Sequence, residues 1–216
     1  MNKLLGMLSP LLLLAQIPNA LAAIDPYRLV KVTNDNNPQC VEYFTYKDGL
    51  YCSTSTNPDS VAVDPKIKDY ETQKIVFDDR PWQAVWGKDG NDITTVEYIP
   101  AGDKIDQWHE LVTSQFIPGL QNKTTPKDFA ETMIKQMHDS GFNPTINMIK
   151  ETADQVIFEF RISSPANLKQ NEIQIITKGK KGFYILHYVI KESDMGQANR
   201  EKWLQNLQKS KINPSS

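Results

Sequence analysis

Hydrophobic and polar positions along the chain change period several times, and each change predicts an element. Residues 75–77, 82–86 and 94–99 are rich in β-branched and aromatic side chains with short-range alternation, which predicts strands. A turn cluster at 87–91 joins the last two as a hairpin. From Asp103 the spacing lengthens: Ile105, Trp108, Val112 and Phe116 recur every three or four residues, predicting a helix with one buried stripe that ends at Pro118 and Gly119. A second helix starts at Thr125, which can cap it, with Pro126 in the first turn and Asp128 at the positive helix end. Its stripe is Phe129, Met133, Ile134 and Met137, and Gly141 closes it. Four strands follow at 145–150, 156–163, 172–177 and 183–191, the clearest alternation being Val156, Phe158, Phe160 and Ile162. A last helix runs from a cap at Asp194 through Trp203, Leu204 and Leu207 to near Lys211. Short turns between consecutive strands mean antiparallel pairing. The expected fold class is therefore α+β, an antiparallel sheet of about six strands packed with three helices.

The N-terminus reads differently. Lys3 is the one charge ahead of an apolar run at 4–14, and Pro18, Ala20 and Ala22 follow. This is the layout of a secretory signal peptide, with cleavage expected after Ala22 or, as the alternative, Ala23. The run is shorter than the ~20 residues of a membrane span and is interrupted by Ser9, Pro10 and Gln16. No cysteine stands at its end to take a lipid, so no stable membrane anchor is expected after cleavage. The expected organisation is a signal peptide at 1–22, a cysteine-containing segment and loop at 23–70, and an α+β body at 71–216.

Export changes the meaning of the two cysteines. In an oxidising compartment Cys40 and Cys52 are expected to form a disulfide. Asp48 and Gly49 between them read as a two-residue hairpin turn that sets Cys52 opposite Thr45, too far from Cys40 to bond. Either the turn is longer and centred nearer Tyr46, or the chain bends sharply after Asn37 and Pro38. The longer turn is the preferred solution, and the disulfide is the firmer expectation.

Composition narrows the function classes. The 216 residues carry 24 basic and 26 acidic side chains, net −2, with 39% hydrophobic residues, so neither a nucleic-acid partner nor a disordered chain is expected. Without the leader the chain has about 194 residues at −3, because only Lys3 is lost. His109, His138 and His187 are scattered, none in the i, i+4 spacing of a metal pair, and no nucleophile elbow, phosphate loop, dinucleotide fingerprint or calcium loop is present. No metal and no cofactor are expected, and no catalytic residue is assigned. Asp89 to Asp92 and Asp78 to Pro81 read as turns, and Lys178 to Gly182 as a solvated hairpin tip. Asn122 to Thr124 fits a glycosylation acceptor and carries no weight without a known source.

Aromatic residues point to a surface. Trp82, Trp86, Tyr98 and Trp108 cluster in sequence; Trp82 and Trp86 share strand parity, and Trp108 precedes His109 and Glu110. Buried, they are core; exposed, Trp82, Trp86, Trp108 and His109 form a candidate binding surface. The hairpin at 82–99, the helix at 108–116 and the strand-rich second half together resemble the Mog1/PsbP-like architecture, in a small exported protein of Gram-negative type. The resemblance implies an antiparallel sheet between helices and transfers no functional residue. The expected function is an exported, non-enzymatic protein that binds an unidentified protein or small ligand in the periplasm or outside the cell. A secreted hydrolase or metal-dependent enzyme, and a secreted virulence-type effector, are the alternatives. Convergence of His109, Glu110 or His187 with Asp78 or Asp79 in a cleft favours the enzyme; exposed tryptophans favour binding.

Overall fold

The computed structural model describes residues 29–34, 40, 42–46, 49–53 and 65–213. The expected signal peptide lies outside these residues. Among the described residues, no helix is long and apolar enough to cross a membrane.

Three strands, β1 (Leu29–Val32), β2 (Glu42–Tyr46) and β3 (Gly49–Ser53), form an antiparallel sheet in the order β1-β3-β2. Cys40 and Cys52 are disulfide-bonded, with Cα atoms 5.5 Å apart. The expected longer turn is not how this distance closes. Tyr46 pairs with Gly49, and Cys52 lies opposite Tyr43 rather than Thr45. Gly49 belongs to β3 rather than to the expected turn, and Cys40 lies within disulfide reach of Cys52 on that strand.

The body opens with a 3-10 turn, Pro65–Tyr70, and a two-residue strand β4 (Gln73–Lys74). It then builds a seven-stranded antiparallel sheet from β5 (Trp82–Asp89), β6 (Thr94–Pro100), β7 (Glu110–Pro118), β8 (Thr145–Glu151), β9 (Gln155–Ile162), β10 (Gln170–Lys178) and β11 (Gly182–Ile190), in the order β5-β6-β7-β11-β10-β9-β8. Two helices accompany it, α1 (Pro126–Asp139) and α2 (Gln197–Lys209), and β12 (Lys211–Ile212) pairs with β4 to tie the two ends of the body together.

Among the described residues, two helices and a seven-stranded sheet replace the expected three helices and about six strands. The correction lies at Ile105, Trp108, Val112 and Phe116, whose helical spacing is a coincidence. Only Ile105–Gln107 makes a single 3-10 turn. The segment after it is rich in β-branched and aromatic residues and is claimed by two neighbours: β7 pairs with β6 on one side and β11 on the other. Covered on both faces, the strand mixes Leu111, Val112 and Phe116 with the polar Glu110, Thr113, Ser114 and Gln115, so its pattern lacks the clean alternation of a half-exposed strand. The expected strand at 75–77 is also absent; Ile75 and Phe77 run without ladder partners along the core beside Trp82 and Tyr98. One of the three segments that carry the Mog1/PsbP-like resemblance, the helix at 108–116, is thus a strand.

Each sheet face has its own cover. α1 is capped as its sequence demands: Thr125 Oγ1 accepts from the Asp128 amide at 3.1 Å, Pro126 fills the first turn, and Gly141 leaves the helix at φ +87°. Its buried stripe, Phe129, Ala130, Met133 and Met137, packs on Val156, Phe158, Phe160, Ile176, Phe183 and Ile185. α2 starts after Gly196, two residues beyond the expected cap; Asp194 instead accepts from the Gly196 amide at 2.8 Å. It lays Trp203 and Leu207 on the opposite face, against Val112, Ile157, Ile173, Ile175, Leu186 and Tyr188. The Tyr188 and Trp203 rings stack with centroids 4.0 Å apart, and Trp82 meets Trp203 edge-on at 5.2 Å.

Candidate functional site

Register places the site. Glu97 pairs with Thr113, Thr113 with His187, His187 with Gln174 and Gln174 with Phe158, so one row runs across β6, β7, β11, β10 and β9. Paired residues point to the same face, which is the α1 face. The α1 helix covers the Phe158 end of that row. At the other end Ile99, Leu111 and Val189 are buried against Val85, Ile105 and Trp108. Between the two covers lies a polar strip and a cleft of about 110 Å³.

A hydrogen-bonded group forms the floor. His187 Nδ1 lies 2.7 Å from Glu172 Oε1, and His187 Nε2 lies 3.0 Å from Gln115 Oε1. Gln174 Nε2 donates to Glu172 Oε1 at 2.7 Å, while Gln170 Nε2 reaches Glu172 Oε2 only at 3.4 Å. Glu172, Gln174 and His187 are each at most 6% exposed. Among the described residues, two acceptors lining the cleft have no hydrogen-bond donor. Gln174 Oε1 is fully buried and makes no hydrogen bond. The Glu97 carboxylate lines the same cleft; burial pushes its carboxyl above the usual range, and the charge of His187 only partly opposes that. An unmade hydrogen bond at a buried oxygen costs about 1–3 kcal/mol, a condition that Gln121 Oε1 shares among the described residues.

Walls complete the cleft. Leu111 and Val189 supply apolar surface, and Trp108 stands at one side with the Lys191 ammonium 4.1 Å from its ring centroid. Burial holds Lys191 below the usual lysine range.

The expected tryptophan surface is divided. A bulge between Ala84 and Trp86 shifts the register, so Ala84 faces Tyr98 while Trp86 pairs with Glu97. One inserted residue reverses the side of everything after it. Trp82 is therefore on the α2 face against Trp203, and Trp86 is on the cleft face with Trp108. His109 is exposed; its carbonyl accepts from the Lys191 amide at 2.9 Å.

Glu110 and Asp78 do converge, but through an ion-pair lattice. Arg80 grips Glu110 with two bonds of 2.8 and 2.7 Å and reaches Asp78 at 2.8 Å. Trp82 Nε1 and Lys202 Nζ also donate to Asp78, and Tyr188 Oη donates to Glu110 at 2.7 Å. Burial pushes the Asp78 carboxyl up, yet the hydrogen bonds from Arg80 and Trp82 outweigh it and hold it at about 2. These carboxylates are committed as acceptors. His187 lies on the other face and joins neither.

Among the described residues, no group of three or more His, Cys, Asp or Glu is placed to hold a metal. Asp89 accepts from Thr94 Oγ1 at 2.7 Å inside the β5–β6 turn, and Lys178 to Gly182 form the β10–β11 turn, closed by the Gly179 amide on the Gly182 carbonyl. A larger hollow of about 240 Å³ lies beside the C-terminal end of α2, lined by Ile175, Leu186 and Leu207 among others; none of its lining atoms is a buried polar group without a partner.

A protein-family model matches residues 71–214. The chain belongs to that family. The match spans β4 to β12 and so contains the whole sheet, both helices and the cleft. No curated protein matches the chain.

Sequence reasoning missed Glu97, Thr113, Gln115, Glu172 and Gln174. A signal was present: Glu172 and Gln174 share parity with the buried Ile176, and His187 sits between Ile185 and Val189 on the same strand face. Polar residues inside an otherwise apolar strand stripe mark a wet or functional part of a sheet.

Proposed function

We propose that this is an exported binding protein, non-enzymatic, whose ligand site is the cleft between α1 and Trp108. The observation that carries the reading is Gln174 Oε1, an acceptor in a residue 1% exposed, lining a cleft and holding no donor. The half-buried Glu97 carboxylate lines the same cleft three strands away, on β6, and has no hydrogen-bond donor among the described residues. Export is supported by the leader layout at 1–22 and by the Cys40–Cys52 disulfide, which persists in an oxidising compartment.

One observation favours a hydrolase: Glu172 and His187 make a carboxylate–imidazole pair. Against it, Nε2 faces the Gln115 carboxamide, and among the described residues no hydroxyl or thiol shares a hydrogen bond with the ring. Binding is therefore the better account.

The test has two parts. Fractionation of the native host is expected to find the protein in the periplasm or medium; finding it only in the cytoplasm overturns export. A panel of small amines, carboxylates and sugars, followed through the Gln174 side-chain amide and the Trp108 indole by NMR, is expected to yield a class that shifts both signals saturably. No response from any class, or a response that persists in Gln174→Leu, overturns the site.

A further inference from the structure

Where the two ends of the body meet, two lysines are held against each other. β4 and β12 pair antiparallel, and Lys211 stands directly opposite Lys74. Directly opposed residues keep their Cβ atoms about 5 Å apart on one side of the pair, and like charges there lower stability. Both lysines are exposed, and among the described residues neither has a carboxylate partner. Glu71 and Asp78, the carboxylates flanking Lys74 along the chain, are committed elsewhere, to Tyr98 and Ser114 and to Arg80. Lys209, in the last turn of α2, meets the negative helix end instead.

Lys211 also lines the hollow of about 240 Å³ beside α2. The floor of this hollow is apolar: Ile175 and Leu186 are paired neighbours on β10 and β11, and Leu207 of α2 packs in the same core. Polar groups in its wall turn back into the fold. Gln73 Nε2 donates to Ser114 Oγ at 3.0 Å, Gln155 Nε2 to Thr177 Oγ1 at 3.1 Å, and Ser210 Oγ to the Asn206 carbonyl at 3.0 Å. An apolar floor beside an unanswered cationic pair fits a ligand divided in the same way.

We infer that the hollow is a second binding site, independent of the cleft, which takes a free alkyl carboxylate. Its tail lies on Ile175, Leu186 and Leu207, and its carboxylate sits between Lys74 and Lys211. The anion answers two charges that the fold leaves facing each other, and each methylene removed from water adds hydrophobic stabilisation. Volume sets the tail: about 240 Å³ is below the roughly 300 Å³ at which pockets for drug-sized molecules begin, and suits one unbranched chain. A cationic amphiphile brings a third positive charge to the pair, and a purely polar anion leaves the apolar floor uncovered.

The experiment titrates the purified protein with octanoate below its micelle-forming concentration, with octanol and octylammonium as probes of equal length and hexanoate as the shorter acid. Methyl NMR signals of Ile175, Leu186 and Leu207 report on the hollow. Octanoate is expected to shift all three saturably, and hexanoate to bind roughly tenfold more weakly for its two lost methylenes. The double variant Lys74→Gln with Lys211→Gln is expected to weaken octanoate roughly tenfold and to leave octanol unchanged. A methyl spectrum unchanged outside the hollow shows that the variant is folded; each single variant serves should it not be. Octanol or octylammonium binding as tightly as octanoate, hexanoate matching octanoate, or full octanoate affinity in the folded variants overturns the inference. So do methyls silent to every probe, and a dimer of the free protein that buries them. An octanoate response confined to Gln174 and Trp108 belongs to the cleft; it overturns this second site and leaves the cleft reading standing.

Discussion

The two faces of the seven-stranded sheet treat their carboxylates in opposite ways. On the α2 face, Asp78, Glu110, Glu71 and Glu159 are each surrounded by donors: Arg80, Trp82 and Lys202 for Asp78, Arg80 and Tyr188 for Glu110, Ser114, Tyr98 and the Gln73 amide for Glu71, and Asn171, Arg161 and Arg200 for Glu159. On the α1 face, Glu97 has none among the described residues and Glu172 is left with one oxygen barely used. The unpartnered atoms differ in kind as well. Under α2 they are N–H groups, Trp203 Nε1 and Asn206 Nδ2; in the cleft it is the acceptor Gln174 Oε1. The carboxylates of the α2 face have their donors within the fold, whereas Glu97 has none among the described residues.

The contrast breaks most visibly at Trp203. This ring is fully buried, stacked on Tyr188 and edged by Trp82. Trp203→Ala is expected to cost about 4 kcal/mol in a denaturant melt, the range for deleting a large core aromatic. A loss below about 1 kcal/mol means that α2 does not organise that face.

Next in size is the ion-pair lattice. Glu110→Gln removes the partner that Arg80 grips twice and is expected to cost about 2 kcal/mol. The pH dependence follows from the same groups. The Asp78 carboxyl titrates at about 2 in the fold against an ordinary value of 3.8, so its contribution is present above pH 3.8 and is lost as pH falls toward 2. Glu110 is also lowered, since the bonds from Arg80 and Tyr188 overcome the upward push of burial, and it adds to the loss in the same direction. Melts from pH 6 to pH 2 are expected to show wild type losing this increment while Asp78→Asn shows a flatter profile. Parallel profiles contradict the lattice.

A smaller effect is expected at the α1 cap. Thr125→Ala removes the acceptor for the Asp128 amide and is expected to cost about 1 kcal/mol.

The cleft is expected to respond with the opposite sign. Glu97 takes up a proton more readily in the fold than in the unfolded chain, because burial raises its carboxyl. Its charge therefore lowers stability as pH climbs from 4.5 through its raised value, with His187 as the one charge that opposes this. The difference in melting temperature between Glu97→Gln and wild type is expected to grow in favour of the variant from pH 4 to pH 8. A difference that does not move with pH places Glu97 in ordinary solvent.

Much of this fold was legible from the chain, and the failures have physical reasons. The β5–β6 hairpin, α1 with its Thr125 cap, and the run β8 to β11 all follow from local pattern and turn chemistry. β7 did not, because polar Glu110, Thr113, Ser114 and Gln115 interrupt both covered faces of the strand, and two of the apolar residues left, Val112 and Phe116, fall at helical spacing with Trp108. The split of Trp82 from Trp86 rests on one bulge residue, and a bulge leaves no mark in an alternation of this length. The cleft was readable only in hindsight of its strand faces: His187 looks isolated along the chain, and Glu172 and Gln115 reach it only once register lines up β7, β11 and β10.

One paired melt tests the central claim. Glu97→Gln and Glu110→Gln make the same change, one neutral amide for one carboxylate, on opposite faces of the same sheet. At pH 7.5 Glu110→Gln is expected to melt below wild type, while Glu97→Gln melts at or above it, because burial opposes the Glu97 charge. Equal losses from the two variants would contradict the account, because Glu97 would then be a carboxylate the fold itself requires.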